Sequence, residues 1–283
     1  MNHTQERVLI TGASSGIGLE LAHEFARHGH PLVITATSQD ELVEVCRKLG
    51  SDHGVEVHVI AQNLLEPGAA QALFDSIKAQ GLEIEILVNN AGVGHKGTFA
   101  DQPVEQHVEM IHLNIEAVVT LTRAFLPSFI ARGHGRILNT ASIAGFMPAP
   151  QMAVYHATKA FVLSFSEAVA AELTGTGVSM TALCPGATDT DFFERAGAVE
   201  ATMFQKGNVM APQDVAEGGY KALMTGDRVY VAGGLNKAMV FSRRFFPDSF
   251  LAKMSEVFYT DVKPEDHTRE PGEVTAKRAA KTN

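Results

Sequence analysis

Cysteine is scarce in this 283-residue chain: Cys46 and Cys184 are the whole complement and lie far apart. That excludes a disulfide framework and a thiolate metal site, and it points to a reducing, cytoplasmic setting. Cations are also short, with 23 Lys and Arg against 32 Asp and Glu and a formal net charge of −9. No nucleic-acid partner is expected of such a chain, because phosphate affinity needs clustered cations. No apolar run approaches the roughly 20 residues that span a bilayer, so no integral membrane segment is expected. The opening MNHTQERVLI lacks a charged-then-apolar leader pattern. Twelve histidines include no HExxH or other compact ligand spacing, and no metal site is expected. A fixed-period repeat is lacking as well.

What is present suffices for a large core: 45% hydrophobic and 19% charged residues exclude a mainly disordered chain. Short runs rich in Val and Ile read as strands at Val8–Thr11, Leu32–Ala36, Val55–Ala61, Ile84–Asn89, Gly135–Ala141, Val178–Cys184 and Val229–Ala232. Between them lie amphipathic stretches of crossover length, among them Gly16–His28, Glu41–Leu49, Ala69–Ala79, Val104–Ala131 and Ala153–Leu173. This alternation predicts an α/β fold: a single Rossmann-like, doubly wound domain with a seven-stranded parallel sheet flanked by helices on both faces. A (β/α)₈ barrel needs an eighth strand, which the chain after Ala232 does not offer. The domain is expected to span residues 1–260, with 235–260 as a packed helical extension. Residues 261–283 are polar, carry two prolines and have almost no large apolar side chains, so they read as a flexible tail.

The first strand runs straight into TGASSGIG, Thr11 to Gly18, and then into the amphipathic LELAHEFARHG. Glycines permit backbone torsions closed to other residues and let a diphosphate approach the main chain. The helix that follows offers unpaired N–H groups and a partial positive charge. Alone, such an octet is an ordinary loop; between the first strand and first helix of an α/β chain it is a phosphate site.

A second constellation lies in SIAGFMPAPQMAVYHATK, Ser142 to Lys159. Tyr155 and Lys159, four apart in a helical pattern, share one face, and an ammonium beside a phenol favours the phenolate. YxxxK taken alone is equally explained by a solvated helix face. Ser142, 13 residues before Tyr155, ends a predicted strand. Asn114 interrupts the apolar MIHLNIEAVVTLTRAF, where a buried amide must be hydrogen-bonded. It is either a helix-kinking residue satisfied by the backbone or part of a relay, and the two are compatible.

The TGxxxGxG spacing resembles the glycine motif of the short-chain dehydrogenase/reductase family, nicotinamide-dependent oxidoreductases on a Rossmann-like sheet. Asn114, Ser142, Tyr155 and Lys159 match its Asn-Ser-Tyr-Lys tetrad in order and spacing. NNAG at Asn89–Gly92 and the Pro185–Gly186 pair followed by Thr190 match two further motifs. The resemblance implies that Tyr155 is the general acid or base and that Lys159 holds the nicotinamide ribose and depresses the Tyr155 pKa. It also implies that Ser142 polarises the substrate oxygen and that Asn114 anchors a water. The cofactor-binding residues it implies are Gly12, Ser14, Ser15, Gly16, Ile17, Gly18, Thr37, Ser38, Asn63, Leu64, Asn90, Ala91, Gly92, Tyr155, Lys159, Pro185, Gly186, Thr188 and Thr190.

Ala36 stands where an NAD enzyme carries the acidic residue that bonds the ribose 2′-hydroxyl, about 20 residues beyond the glycine loop. The Arg or Lys usual in NADP enzymes is also missing, replaced by the hydroxyls of Ser14, Ser15, Thr37 and Ser38. A modest preference for NADP(H), with NAD(H) still used, is expected.

The cleft loops 94–100, 143–152 and 187–210 carry Phe99, Ile143, Phe146, Met147, Met152, Phe192, Phe193, Met203 and Phe204, which favours a hydrophobic ketone or secondary alcohol. His95 is a candidate border of that cleft, and His156 is expected at the surface or an interface. The C-terminal extension is more similar to the hydroxysteroid and acyl-type branch than to the ketoacyl-carrier-protein reductases. A homodimer or homotetramer is expected. The alternatives are an NAD-dependent alcohol or hydroxysteroid-type dehydrogenase and, in a different class, a non-catalytic sensor of the cofactor. A sensor that had lost catalysis is expected to lose Tyr or Lys, and this chain has both.

Overall fold

Val, Ile and Leu runs too short for helices form seven strands: β1 (Val8–Thr11), β2 (Leu32–Ala36), β3 (Val57–Ala61), β4 (Ile86–Asn89), β5 (Gly135–Thr140), β6 (Val178–Cys184) and β7 (Val229–Val231). The computed structural model describes residues 6–280; 1–5 of the expected domain and 281–283 of the expected tail lie outside the described residues. The strands make one parallel sheet in the order β3-β2-β1-β4-β5-β6-β7. β1 pairs with both β2 and β4, setting Val8 opposite Leu32 on one side and Ile86 on the other. The strand order therefore reverses between β1 and β4, which opens a crevice at their carboxyl ends.

Both faces are covered. Val8 and Ile10 point into a core shared with α1 (Gly16–Arg27) and α2 (Gln39–His53), while Leu9 points into a second core with α3 (Ala69–Ala79) and the helical run across the opposite face. That run comprises α4 (Val104–Ile111), a wider π turn (His112–Glu116) and α5 (Ala117–Ala131). By length and composition alone this stretch, Val104–Ala131, is long and apolar enough to cross a membrane, as core helices also are. Here its inner side chains Met110, Leu121, Phe125 and Phe129 are buried in the protein core.

α6 (Ala153–Glu172) packs on β6 and precedes two short helices, α7 (Phe192–Arg195) and α8 (Thr202–Gln205). α9 (Pro212–Thr225), which the apolar periodicity did not single out, lies along α1; Tyr220 meets Phe25 edge-on at 5.1 Å and Gln213 donates to Glu20 at 2.8 Å. The expected extension is α10 (Gly234–Ser242) and α11 (Asp248–Tyr259).

In the segment expected as a flexible tail, residues 261–280 lie against the domain and end in α12 (Glu273–Ala280). Val262 is buried and its N–H bonds the Glu200 carbonyl at 2.8 Å, and Arg278 pairs with Asp214 at 2.8 Å. The segment is polar because most of its contacts are hydrogen bonds, several of them to buried partners such as Asp189 and Gln205.

Candidate active site

The switch point places the glycine loop at the mouth of a cavity of about 480 Å³. Gly12 has φ +66°, and a Cβ there would stand 2.9 Å from Ala91 Cα; a Cβ at Gly18 would collide with the Gly12 carbonyl. Only glycine lets β1, the loop and the chain after β4 approach this closely. Ser15 caps α1 without a side-chain hydrogen bond, and Ser14, Ser15, Gly16 and Ile17 line the cavity. An anionic diphosphate fits the free first-turn amides there.

The other expected cofactor residues divide. Thr37, Asn63, Leu64, Asn90, Ala91, Gly92, Pro185, Gly186, Thr188 and Thr190 line the cavity. Gly18 and Ser38 do not: Gly18 is the packing glycine just described, and the Ser38 hydroxyl caps α2 by accepting from Glu41 N–H at 3.3 Å. Asn90 braces the strand ends, donating to the carbonyls of Thr11 (3.1 Å) and Gly12 (3.3 Å) and accepting from Thr140 Oγ1 (3.3 Å). Asn63 Oδ1 accepts the Leu65 N–H at 3.1 Å.

Ser142, Tyr155 and Lys159 line the same cavity, and Asn114 does not. Ser142, just past β5, accepts from Ala144 N–H at 3.1 Å and donates to the Pro185 carbonyl at 3.3 Å. Tyr155 stands on α6, and burial pushes its phenol up to about 12 against an opposing hydrogen bond with Ser142. Lys159, one turn further, is 5% exposed, and burial lowers its ammonium to about 8. Its Nζ donates to the Thr140 carbonyl at 2.8 Å and lies 5.8 Å from the Tyr155 ring centre. A buried ammonium held by a carbonyl rather than a carboxylate is costly to the fold, and such groups cluster where function requires them. Asn114, 1% exposed, sits in the π turn; its Oδ1 accepts Val93 N–H at 3.0 Å, and its Nδ2 donates to Val93 O (2.9 Å) and Thr158 Oγ1 (3.0 Å). The amide is thus satisfied by backbone and by the helix that carries Tyr155.

The substrate wall differs from expectation in three places. Ile143, Met147, Met152, Phe192, Phe193 and Met203 line the cavity. Phe99 is 66% exposed and stacks on His107, Phe146 lies under the Arg243 guanidinium, and Phe204 is fully buried core. Aromatic content located the wall but not which rings face inward. His95 does border the cavity, its Nε2 2.9 Å from Glu109.

His156, expected at the surface or an interface, is buried against α11 of its own chain. With Nδ1–H donating to the Met147 carbonyl at 2.7 Å, Nε2 accepts from the Tyr259 hydroxyl at 2.8 Å. Tyr259 and Phe258 of α11, with Met239 of α10, complete the wall and were missed in the sequence. The available signal was weak: FYT lies more than a hundred residues from the motifs it joins.

A family model described as short chain dehydrogenase matches residues 6–201. The chain belongs to the short-chain dehydrogenase family. The chain is 34% identical over 191 residues, 67% of its length, to the probable oxidoreductase EphD of Mycobacterium tuberculosis, and spans about a third (32%) of that relative. It is 34% identical to the NADP-dependent 3-hydroxy acid dehydrogenase YdfG of Escherichia coli, covering 74% of this chain and 86% of that one. Among solved structures, a short-chain dehydrogenase from Sphingobium yanoikuyae in complex with NADPH superposes with a TM-score of 0.76 at 33% identity, covering 85% of this chain and 94% of the other.

Proposed function

We propose that this chain is an NADP(H)-preferring oxidoreductase that interconverts a hydrophobic ketone and its secondary alcohol, with Tyr155 as general acid or base. One observation carries the reading: a half-buried phenol, beside Ser142 and backed by a buried ammonium, opens on a cleft walled by Met152, Phe192, Met203 and Tyr259.

A nicotinamide cofactor held in this cleft would supply or accept the hydride. Gly12, Ser14, Ser15, Gly16 and Ile17 would hold its diphosphate, Asn63, Leu64, Ala91 and Gly92 its adenosine, and Pro185, Gly186, Thr188 and Thr190 would flank its nicotinamide. In carbonyl reduction the negative charge develops on the substrate oxygen, where the Ser142 hydroxyl, turned from its long bond to the Pro185 carbonyl, donates a hydrogen bond and the Tyr155 O–H delivers its proton. Burial favours the protonated phenol and so suits this direction. Alcohol oxidation asks Tyr155 to take the proton, which the charged Lys159 makes easier. Lys159 Nζ also has hydrogen-bonding capacity for the ribose beyond its bond to Thr140. Asn114 fixes the Val93 backbone and α6; with both its N–H groups engaged, any bound water falls to its main chain or the second lone pair of Oδ1.

At the ribose 2′ position, Ala36 brings no carboxylate to repel a phosphate and Thr37 offers a hydroxyl. NADP(H) preference rests on missing repulsion and is modest. The apolar outer side of α4, with Val104, Val108 and Ile111 exposed, supports a homodimer or homotetramer. The test is a panel of apolar and small polar ketones and alcohols with each cofactor, followed by nicotinamide absorbance. Higher kcat/KM with NADPH than NADH and on apolar ketones is expected. A clear advantage for NADH overturns the cofactor assignment, and turnover confined to small polar carbonyls overturns the substrate class.

A further inference from the structure

Asp189 sits between Thr188 and Thr190 in the chain that borders the cavity, yet its side chain faces the other way. It is 3% exposed and has no cationic side chain within ion-pair distance in the described residues. The C-terminal segment satisfies it instead. Oδ1 accepts the Gly272 N–H at 2.8 Å; Oδ2 accepts the Thr275 N–H at 2.8 Å and the Thr275 hydroxyl at 2.9 Å. The carboxylate therefore caps the N-terminus of α12, where backbone N–H groups and the helix dipole favour negative charge.

The same segment grips the loop at further points. Gln205, almost fully buried, accepts from Thr268 N–H (2.9 Å) and Arg269 N–H (3.1 Å) and donates to the Arg269 carbonyl (3.1 Å). Arg269 bonds the carbonyls of Phe204 and Gly207. Val274 packs on the cluster formed by Phe193, Ala196 and Phe204. Residues 187–210 have little regular structure of their own beyond α7, α8 and a single bridge between Thr188 and Met210, so these contacts add most of the side-chain ties that hold them.

We propose that residues 261–280 act as an intramolecular clasp that holds loop 187–210 over the cleft, with Asp189 as the positioning residue that the clasp engages. Thr188 and Thr190 inherit their placement from the pinned carboxylate between them. The clasp thereby sets affinity for cofactor and substrate rather than the chemical step. That consequence rests on the function proposed above; the contact itself does not.

The test compares Asp189→Asn, Thr275→Val, Thr275→Ser and deletion of 268–283 in the otherwise intact protein. Asp189→Asn turns an acceptor into a donor facing N–H groups, Thr275→Val removes only the hydroxyl, and Thr275→Ser restores it. Three readouts apply: backbone amide exchange in 187–210, NADPH dissociation by fluorescence titration, and KM against kcat. Asp189→Asn and the deletion are expected to speed exchange in 187–210 while β1 and β4 stay protected, and to weaken NADPH about tenfold with kcat within about twofold. Thr275→Val follows in the same direction and Thr275→Ser behaves as wild type. Unchanged exchange in 187–210 across these variants overturns the clasp, as does faster exchange with unchanged NADPH affinity. If no ketone is turned over by the wild type, the function proposed above fails, while exchange and titration still decide the clasp. Should the deletion not fold, the two point variants decide it.

Discussion

The two walls of the cleft are made differently. The wall from the glycine loop to Lys159 is built on strand ends and long helices: Gly12, Ser142 and Lys159 each stand where a core element stops or within one. The opposite wall is assembled from loop 187–210 with its one-turn helices α7 and α8, from α10 and α11, and from α12 behind them, joined by side-chain hydrogen bonds over long sequence separations. Backbone ladders buried on both faces fix positions tightly, which suits groups that must meet reacting atoms. Loops held by a few side-chain contacts can vary in shape without disturbing the sheet, which suits selection among substrates.

The largest effect is expected at the first wall. Tyr155→Phe keeps the ring but removes the proton donor, and kcat should fall by about 10²- to 10⁴-fold with NADPH affinity within about twofold. Single-turnover kinetics with NADPH titration measure both. Near-normal turnover in this variant places the acid elsewhere and ends the division of labour between the walls.

A smaller and more selective effect is expected at the second wall. Tyr259 is 4% exposed and packs with Met152 and Ala149 against the cavity. Tyr259→Ala should cost about 3 kcal/mol of stability, as emptied aromatic sites do, and raise kcat/KM for bulky ketones relative to small ones by about tenfold. Tyr259→Phe keeps the ring, loses the bond to His156, and should retain the selectivity of the parent. Melting curves and a ketone size series separate the two. Equal losses on every ketone in Tyr259→Ala would make this wall a support rather than a selector.

The same division explains what the sequence made legible. Seven strands, the glycine loop and the four polar residues could be read because each has a local pattern: β-branched runs, glycines at turn positions, a helical i, i+4 pair. Strand ends differ from expectation by at most two residues. Three features had no local pattern. The π turn at His112–Glu116 lies inside continuous helical periodicity, and two adjacent glycines, Gly218 and Gly219, dilute the pattern of α9. The segment from Asp261 onward is polar because its partners are buried acceptors such as Asp189 and Gln205, a relation visible only across more than sixty residues.

The smallest expected effect is on pH dependence, and it probes whether titration near neutrality belongs to one wall alone. kcat/KM reports groups of the free enzyme. On the first wall, Lys159 is lowered to about 8 by burial, so the charged form that favours proton transfer is lost above that pH. kcat/KM for reduction should then fall above about pH 8, by up to roughly tenfold per pH unit. His156, on the same helix, is lowered from 6.5 by burial and holds a neutral tautomer between Met147 and Tyr259 of the second wall. It should contribute no limb between pH 6.5 and 8. Stability supplies an independent check, since the unfolded chain still binds a proton that native Lys159 has released between about 8 and 10.5. Unfolded chains then hold more protons, so stability without cofactor should rise with pH across this window, and Lys159→Met should remove that rise. Melting temperatures of the two proteins from pH 7 to 10.5 measure it. A limb near neutrality that disappears in His156→Gln would instead assign titration to the His156–Tyr259 joint between the walls and break the separation between a reacting wall and a selecting one.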